Sequence, residues 1–480
     1  MITIVVALFF AMWAAILTLV LLASLWILPE FGEVTLWQVL AYVGEPISLL
    51  SDELQRQARL CYMLSGAVLV FVFGVYLLLS RWFRSRFRVR GLVVLNASFL
   101  IFSMEATYAV YMYLDGLLGI TYEIRCRMMP SSLLKDEFRW VDPDAVTFGA
   151  RRRNLLVLVG ESIEDSYVDG RAYGVNLMPR LGDWRSRHDR FGTMESVHGT
   201  DHTICSLFGM VYGSPRLQTD GVPRSVSFSH YPESVMPNAW RIWLNNGFAC
   251  RFVQGGEIAF ACTDKVFRAV PGVVVHDKAH FEADPDYLKE SRPNRFGVND
   301  AVVIGKHLRG ETEELARQGK PFVMIVWTLD THCSGWASEL QARRHPDTLA
   351  HAIMQTDDLL SDYLAWFERQ PFAAETAVVV IGDHVGHTSF DSLPKNMRHP
   401  YNALSVPGLK GVPLHRSFAS FDLAPTFLEL TGARLPDGRF GLGTSLLREQ
   451  PTLLERIGRK RYEDEIRACG IDYRRIAFGW

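Results

Sequence analysis

Four side chains in this sequence could do chemistry together. Glu161 ends the apolar run "NLLVLVGES" (154–162), Asp383 and His384 end "TAVVVIGDH" (376–384), and Thr203 opens "TICSLFGMVY". Carboxylate oxygens and an imidazole nitrogen make a donor set for a divalent ion such as Zn²⁺ or Mn²⁺. An alcohol is a poor nucleophile at neutral pH and needs an adjacent base or a metal. A metal held by Glu161, Asp383 and His384 would lower the pKa of the Thr203 hydroxyl and shield an anionic substrate from the incoming oxygen. Taken singly, each residue has a blander explanation. Glu161 could cap a helix, Asp-His pairs are common in loops, and a threonine at a helix start is a favoured N-cap. Their coincidence at strand ends favours the metal and the nucleophile, and the cap and nucleophile readings of Thr203 are compatible. The same helix start would turn backbone N–H groups toward a phosphate. His332, in "TLDTHCSGW" (328–336), follows another buried run and could bind phosphate or hydroxyls, or protonate a leaving group. His202, His387 and His399 read as surface or supporting histidines without an assigned role.

The elements that must position these residues are legible in outline. Besides the two apolar runs above, "FACRFVQGG" (248–256) and "PFVMIVWTLDTH" (321–332) repeat the design of a buried strand followed by a turn. Helical patterns such as "AHAIMQTDDLLSDYLAWFERQ" (350–370) lie between them. Alternating strands and helices predict an α/β domain with a mostly parallel sheet. Ligands of such sheets collect at the carboxyl ends of the strands, where Glu161, Asp330, His332, Asp383 and His384 all fall.

The first part of the chain has a different texture. Ile2–Leu28 and Leu60–Ser80 carry no charge, and Gly91–Leu114 is interrupted only by Asn96 and Glu105. Each reaches the roughly 20 residues needed to cross a bilayer. The first run is too long for a signal peptide and nothing basic precedes it, so it reads as an uncleaved anchor. "RWFRSRFRVR" (81–90) places five arginines between the second and third spans, whereas 29–59 carries Glu30, Glu33, Glu45, Asp52 and Glu53 against Arg56 and Arg59. The positive-inside rule puts the arginine loop in the cytoplasm and everything after about residue 117 outside it. Glu105, toward the outer half of its span, reads as a partly hydrated structural acid.

A formal net charge of −2 over 480 residues gives no bulk electrostatic case for nucleic-acid binding. The seven cysteines (61, 126, 205, 250, 262, 333 and 469) show neither CxxC nor zinc-finger spacing. An extracytoplasmic domain permits disulfides, but the connectivity stays open. The amphipathic stretch "TLLERIGRKRYEDEIRA" (452–468) could pack on the domain or lie near a membrane surface.

The exported part resembles the alkaline phosphatase/sulfatase superfamily, and within it the membrane-anchored phosphoglycerol transferases. These include lipoteichoic acid synthases and the enzymes that modify osmoregulated periplasmic glucans. The likeness rests on "NLLVLVGESIEDSY", "GTDHTICSLFGMVYGSP", "FVQGGEIAFACTDKVF", "FVMIVWTLDTHCSGW", "VVVIGDHVG" and "FDLAPTFLELTG" with "GLGTSLL", in family order over nearly all of 150–447. The resemblance implies an alkaline phosphatase/sulfatase-like α/β fold preceded by a bundle of about three transmembrane helices. The organisation expected is a transmembrane domain (1–116), a juxtamembrane linker (117–150), a catalytic domain (151–447) and a C-terminal tail (448–480).

It also implies roles. Glu161, Asp383 and His384 match metal ligands, and Thr203 matches a threonine that coordinates the metal and becomes covalently modified. The ion expected is Mn²⁺, with Zn²⁺ or Mg²⁺ as alternatives. His332 matches a histidine contacting the phosphoglycerol group, and Gln254 and Asp264 fall at further substrate contacts. The implied partners are a phosphatidylglycerol donor, a periplasmic glucan or other glycan acceptor, and the lipid bilayer. The implied location is the bacterial inner membrane, multi-pass, with the catalytic domain in the periplasm. The sequence departs from the glucan-modifying pattern at Thr263, at Cys333-Ser334-Gly335 and beyond the metal pair in "GDHVGHTSF", leaving the metal set intact and the acceptor open. The alternatives are a phosphoethanolamine transferase acting on lipid A or another glycan, a phosphodiesterase or sulfatase-type hydrolase, and a non-catalytic glycan-binding protein. Sulfatase chemistry needs a cysteine or serine in a C-x-P-x-R-like motif, which Thr203-Ile204-Cys205-Ser206 does not fit.

Overall fold

The computed structural model describes residues 2–31, 52–217, 233–284, 296–332, 335–338, 342–388, 390, 393–409 and 415–479. They form two compact units, divided between Ile124 and Arg125. The expectations that involve Glu33, Glu45, Cys333 and Ser334 lie outside the described residues.

Among the described residues, the first unit holds two long helices, α1 (Ile2–Phe31) and α2 (Asp52–Leu118), both long and apolar enough to cross a membrane. Where the sequence predicts a loop at 81–90, the backbone stays helical except at Arg88 (φ 52°, ψ −136°). There α2 doubles back. The Tyr76 hydroxyl donates to Asn96 Oδ1 and its ring lies 5.1 Å from that of Phe99. A straight helix would separate positions 76 and 96 by about 30 Å. A side chain at Gly91 could not fit the bend, since its Cβ would stand 2.8 Å from the Phe83 carbonyl oxygen. The fold-back lays two apolar arms of α2 beside α1, where Phe10 meets both Tyr76 and Phe99 and Trp13 donates to Thr107 Oγ1 at 2.8 Å. Many large apolar side chains of this unit, among them Phe9, Met12, Val70, Phe71 and Phe102, face outward, and Glu105 is exposed among them.

The second unit is organised by a six-stranded sheet. Its strands are β1 (Asn154–Gly160), β2 (Ala249–Gln254), β3 (Val274–His276), β4 (Phe322–Trp327), β5 (Thr376–Gly382) and β6 (Asn402–Ser405), in the order β3-β2-β4-β1-β5-β6. Every pairing is parallel except that of β5 with β6, so the sheet is mixed. Parallel strands are covered on both faces, which is why β1, β4 and β5 read as unbroken apolar runs. Along β1, Leu155, Val157 and Val159 enter one core while Leu156 and Leu158 enter the other. The first core takes α3 (Thr203–Tyr212); the second takes α5 (Leu308–Arg317) and α6 (Thr348–Phe367), with the short α4 (Lys278–Glu282) beside β3.

The first core also gathers residues from both ends of this unit. Leu133, Leu134, Val141 and Val146, from the segment read as a linker, are buried in it. The C-terminal stretch folds as α7 (Leu453–Ile457), α8 (Arg459–Ala468) and α9 (Gly470–Phe478), which bury Leu453, Tyr462, Ile466, Tyr473 and Phe478 there. It packs on the domain because its apolar face is wide enough to be worth burying. The six described cysteines are all free and buried.

Candidate functional site

Adjacent turns after β1 and β5 build the centre of the site. The two strands are paired in register up to Gly160 and Gly382, so the residues that follow emerge side by side. Gly382 lets the turns touch: a Cβ there would lie 2.0 Å from the Ile163 carbonyl oxygen. Ser162 adopts φ 54°, a left-handed conformation that a non-glycine residue keeps only when its surroundings hold it. They do hold it. Its N–H donates to Asp383 Oδ1 at 2.8 Å and its hydroxyl to Glu161 Oε1 at 2.8 Å. The Glu161 N–H donates to Thr328 Oγ1 (2.7 Å), just beyond β4, and the His384 N–H to Asp383 Oδ1 (2.8 Å).

Thr203 comes from the other direction. The residue capping α3 is His202, and Thr203 is the first helical residue. Its hydroxyl therefore does not cap the helix. It donates to Glu161 Oε2 at 2.9 Å and lies 3.4 Å from His384 Nε2. One turn later the Ser206 hydroxyl donates to the Asp383 carbonyl oxygen at 2.9 Å, locking α3 against the end of β5.

The polar atoms so gathered are buried and mismatched. His384 Nδ1 sits 2.9 Å from the Val385 carbonyl oxygen, which can only accept, so Nδ1 carries hydrogen and Nε2 faces the oxygens. Nε2 is 3.5 Å from Glu161 Oε1 and 3.4 Å from Asp383 Oδ2. Asp383 Oδ2 is buried and has no hydrogen-bond partner among the described residues. Burial, then the Glu161 carboxylate, push the Asp383 carboxyl well above its usual range. Burial also raises Glu161, but His384, His332 and the hydrogen bonds from Ser162 and Thr203 outweigh it and hold that carboxyl low. Left to themselves the two acids would share a proton, kept by Asp383. An orphaned carboxylate oxygen, a second carboxylate, a hydroxyl and an imidazole nitrogen on one point fit a divalent cation, and Glu161, Asp383 and His384 lie close enough to share one.

Other expected residues are placed differently. His332 follows β4 near enough to act on the Glu161 charge, with its ring 4.3 Å from that of Phe296. Asp330, at the same strand end, accepts from Asn299 Nδ2 (3.2 Å) and from the Asp300 N–H (3.0 Å). Gln254 ends β2, two strands from β1, and Asp264 pairs with Arg268 at 2.9 Å. Among the described residues, neither has a hydrogen bond to the Glu161–Thr203–Asp383–His384 group.

Sequence reasoning missed Ser162 and Thr328, which orient Glu161. It also missed the buried pair of Glu164 and Arg398 (2.8 Å), whose guanidinium also donates to the Gly386 (3.0 Å) and Thr388 (2.7 Å) carbonyl oxygens just past His384. A charged residue three positions past the strand's Gly-Glu was the available signal for Glu164. Nothing local marks Arg398.

Comparison with known proteins identifies the family. Residues 153–433 match the sulfatase family. Phosphoglycerol transferase I of Shigella flexneri is 26% identical over 346 residues, covering 67% of this chain and 43% of that protein, and its Salmonella typhimurium counterpart matches to the same extent. The chain thus spans less than half the length of these relatives. Among solved structures, an alkaline phosphatase superfamily protein from Vibrio parahaemolyticus aligns with a TM-score of 0.51 at 18% identity, covering 72% of this chain and 80% of that one. The lipoteichoic acid synthase LtaP from Listeria monocytogenes aligns at 0.50 and 16% identity, covering 66% and 82%. These two likenesses concern the fold.

Proposed function

The chain belongs to the sulfatase family, and from that premise we propose that it is a membrane-anchored phosphoglycerol transferase acting through a covalent phosphothreonine. One observation carries the reading: the Thr203 hydroxyl donates to Glu161 inside a buried carboxylate–imidazole cluster instead of capping its helix. The names of the curated relatives support phosphoglycerol as the transferred group. Glu161, Thr203, Asp383 and His384 would hold a divalent ion, Mn²⁺ or alternatively Zn²⁺ or Mg²⁺, which when bound lowers the pKa of the alcohol and neutralises phosphoryl oxygens.

The donor is phosphatidylglycerol. Thr203 Oγ1 passes its proton to the Glu161 carboxylate and attacks phosphorus, and the bond from phosphorus to the diacylglycerol oxygen breaks. His332 protonates that oxygen as diacylglycerol leaves. N–H groups of the first turn of α3, which a helix leaves without internal partners, stabilise the phosphoryl oxygens. A sugar hydroxyl of a periplasmic glucan or other glycan then gives its proton to His332 and attacks phosphorus, and the bond to Thr203 Oγ1 breaks as Glu161 returns its proton to that oxygen. Gln254 and Asp264 serve the outer part of the substrate.

In this reading residues 1–116 are the anchor and 151–447 the catalytic domain, multi-pass in the inner membrane with the site in the periplasm. Tethering raises the effective concentration of a lipid donor. The test is the mass of the adduct on Thr203 after incubation with defined lipids. A glycerophosphoryl increment from phosphatidylglycerol is expected, and labelling from phosphatidylethanolamine alone would overturn the assignment.

A further inference from the structure

A second group of metal-binding side chains lies at the far edge of the sheet. His276 ends β3, His280 lies on α4, and Glu311 projects from α5. His276 shares a cross-sheet row with Val253, Val326 and Leu158, which puts it three strand spacings, about 14 Å, from β1, the strand that leads to Glu161. We propose that His276, His280 and Glu311 form a second divalent-cation site, of the nitrogen-preferring class that includes Zn²⁺.

The geometry is that of a ligand set. His276 Nδ1 is 2.9 Å from Glu311 Oε2 and His280 Nε2 is 3.3 Å from Glu311 Oε1. Ligand atoms around a tetrahedral Zn²⁺, each about 2.0–2.2 Å from the ion, stand a little over 3 Å apart. The 2.9 Å contact is not a well-formed hydrogen bond, because His276 Nδ1 is a buried atom without a hydrogen-bond partner. The Asp277 side chain accepts the Ala279 N–H at 3.1 Å and so fixes the start of the helix that carries His280.

Charge points the same way. Arg251 contacts Glu311 but also forms two bonds of 3.1 Å with Glu314, so one guanidinium faces two carboxylates and the group is left net negative. Protonating both histidines is a poor remedy. Their rings are stacked at 3.7 Å and 8°, which would press two cations face to face. Neutral imidazoles keep the lone pairs that Zn²⁺ needs, and one ion supplies the missing charge. Since His280 is 41% exposed, a fourth ligand would be water. Such an ion would clamp α4 and the edge strand β3 to α5.

The experiment uses the full-length chain in detergent, stripped with a chelator and titrated with Zn²⁺ alone. Wild type should bind two ions per chain, His280→Ala and His276→Ala one each, and Asp383→Asn the complementary one. Co²⁺ substitution of Asp383→Asn should give the visible absorption of a nitrogen-ligated tetrahedral site, lost in the double variant with His280→Ala. His280 lies at the surface, so its replacement leaves folding intact, as circular dichroism should verify. Equal Zn²⁺ stoichiometry and affinity in wild type and His280→Ala would overturn the proposal, as would a single wild-type ion abolished by Asp383→Asn. Both outcomes are independent of which group Thr203 transfers.

Discussion

The Thr203 hydroxyl lies 2.9 Å from Glu161 Oε2, across 42 residues of sequence, and that hydrogen bond takes the place of the helix cap its position would suggest. Losing an N-cap removes about 1 kcal/mol of stability. Losing a nucleophile removes the reaction. Thr203→Ala should therefore unfold at nearly the wild-type temperature while headgroup transfer falls by on the order of 10³-fold or more. Thr203→Ser should retain measurable transfer and form the corresponding phosphoserine. An alanine variant that still transfers would remove the covalent mechanism.

Ion binding should be read out by stability. Because Asp383 Oδ2 has no hydrogen-bond partner among the described residues, a bound cation stabilises the fold. At a hundredfold excess over its dissociation constant the gain is about 2.7 kcal/mol. Chelation should lower the melting temperature of wild type by several degrees and restoration of Mn²⁺ or Zn²⁺ should recover it. Asp383→Asn should show a smaller response, and identical responses would argue against this ligand.

Gly382→Ala should damage the same centre without touching a ligand. The added Cβ would meet the Ile163 carbonyl oxygen at 2.0 Å and force the two turns apart. Ion affinity, measured by competition with a chromogenic chelator, is expected to fall at least about tenfold, the range seen when groups supporting ligands are lost.

The Glu164–Arg398 pair is buried on both sides, and breaking one side leaves an uncompensated charge. Arg398→Ala should destabilise the second unit by about 3–5 kcal/mol in denaturant titrations. A double replacement by apolar residues of similar volume should recover much of that loss. A small effect of the single variant would mean that water reaches Glu164.

Asp422 gives a pH signature away from the metal ligands. Burial pushes its carboxyl up to about 7, against backbone N–H groups from Thr444 (2.8 Å) and Ala419 (3.0 Å) that favour the anion. A folded-state pKa above the unfolded one means that folding takes up a proton. The contribution to stability is greatest in acid and is lost as pH rises from about 4 to about 7. The melting temperature of wild type should therefore fall relative to that of Asp422→Asn across that window and run parallel above it. Parallel curves throughout would contradict the raised pKa.

What could be read in advance follows from which forces act locally. Unbroken apolar runs mark strands covered on both faces, so the ends of β1, β4 and β5, with Glu161 and Asp383-His384, were legible. Direction at a strand end was not: Asp330 and His332 are two residues apart, yet Asp330 turns to Asn299 and Asp300. Asp264 also pairs with Arg268, an ordinary helical pair that its spacing allowed. The bend at Arg88 depends on one residue leaving helical dihedrals, and the sequence around it reads as an arginine-rich loop. The cluster at His276 needed Glu311, 35 positions beyond it, brought in by packing alone.

The C-terminal helices carry a consequence for how the chain is made. The Tyr462 hydroxyl donates to the His198 carbonyl oxygen at 3.0 Å, the His198 N–H to Glu463 at 3.1 Å, and Arg459 to the Ser196 carbonyl oxygen at 3.0 Å. The segment that leads into Thr203 is thus fastened by residues synthesised some 260 positions later. A nascent chain emerging from the ribosome holds Glu161, Thr203, Asp383 and His384 before it holds that fastening. Thr203 reaches its finished setting only after residues 459–463 have been made.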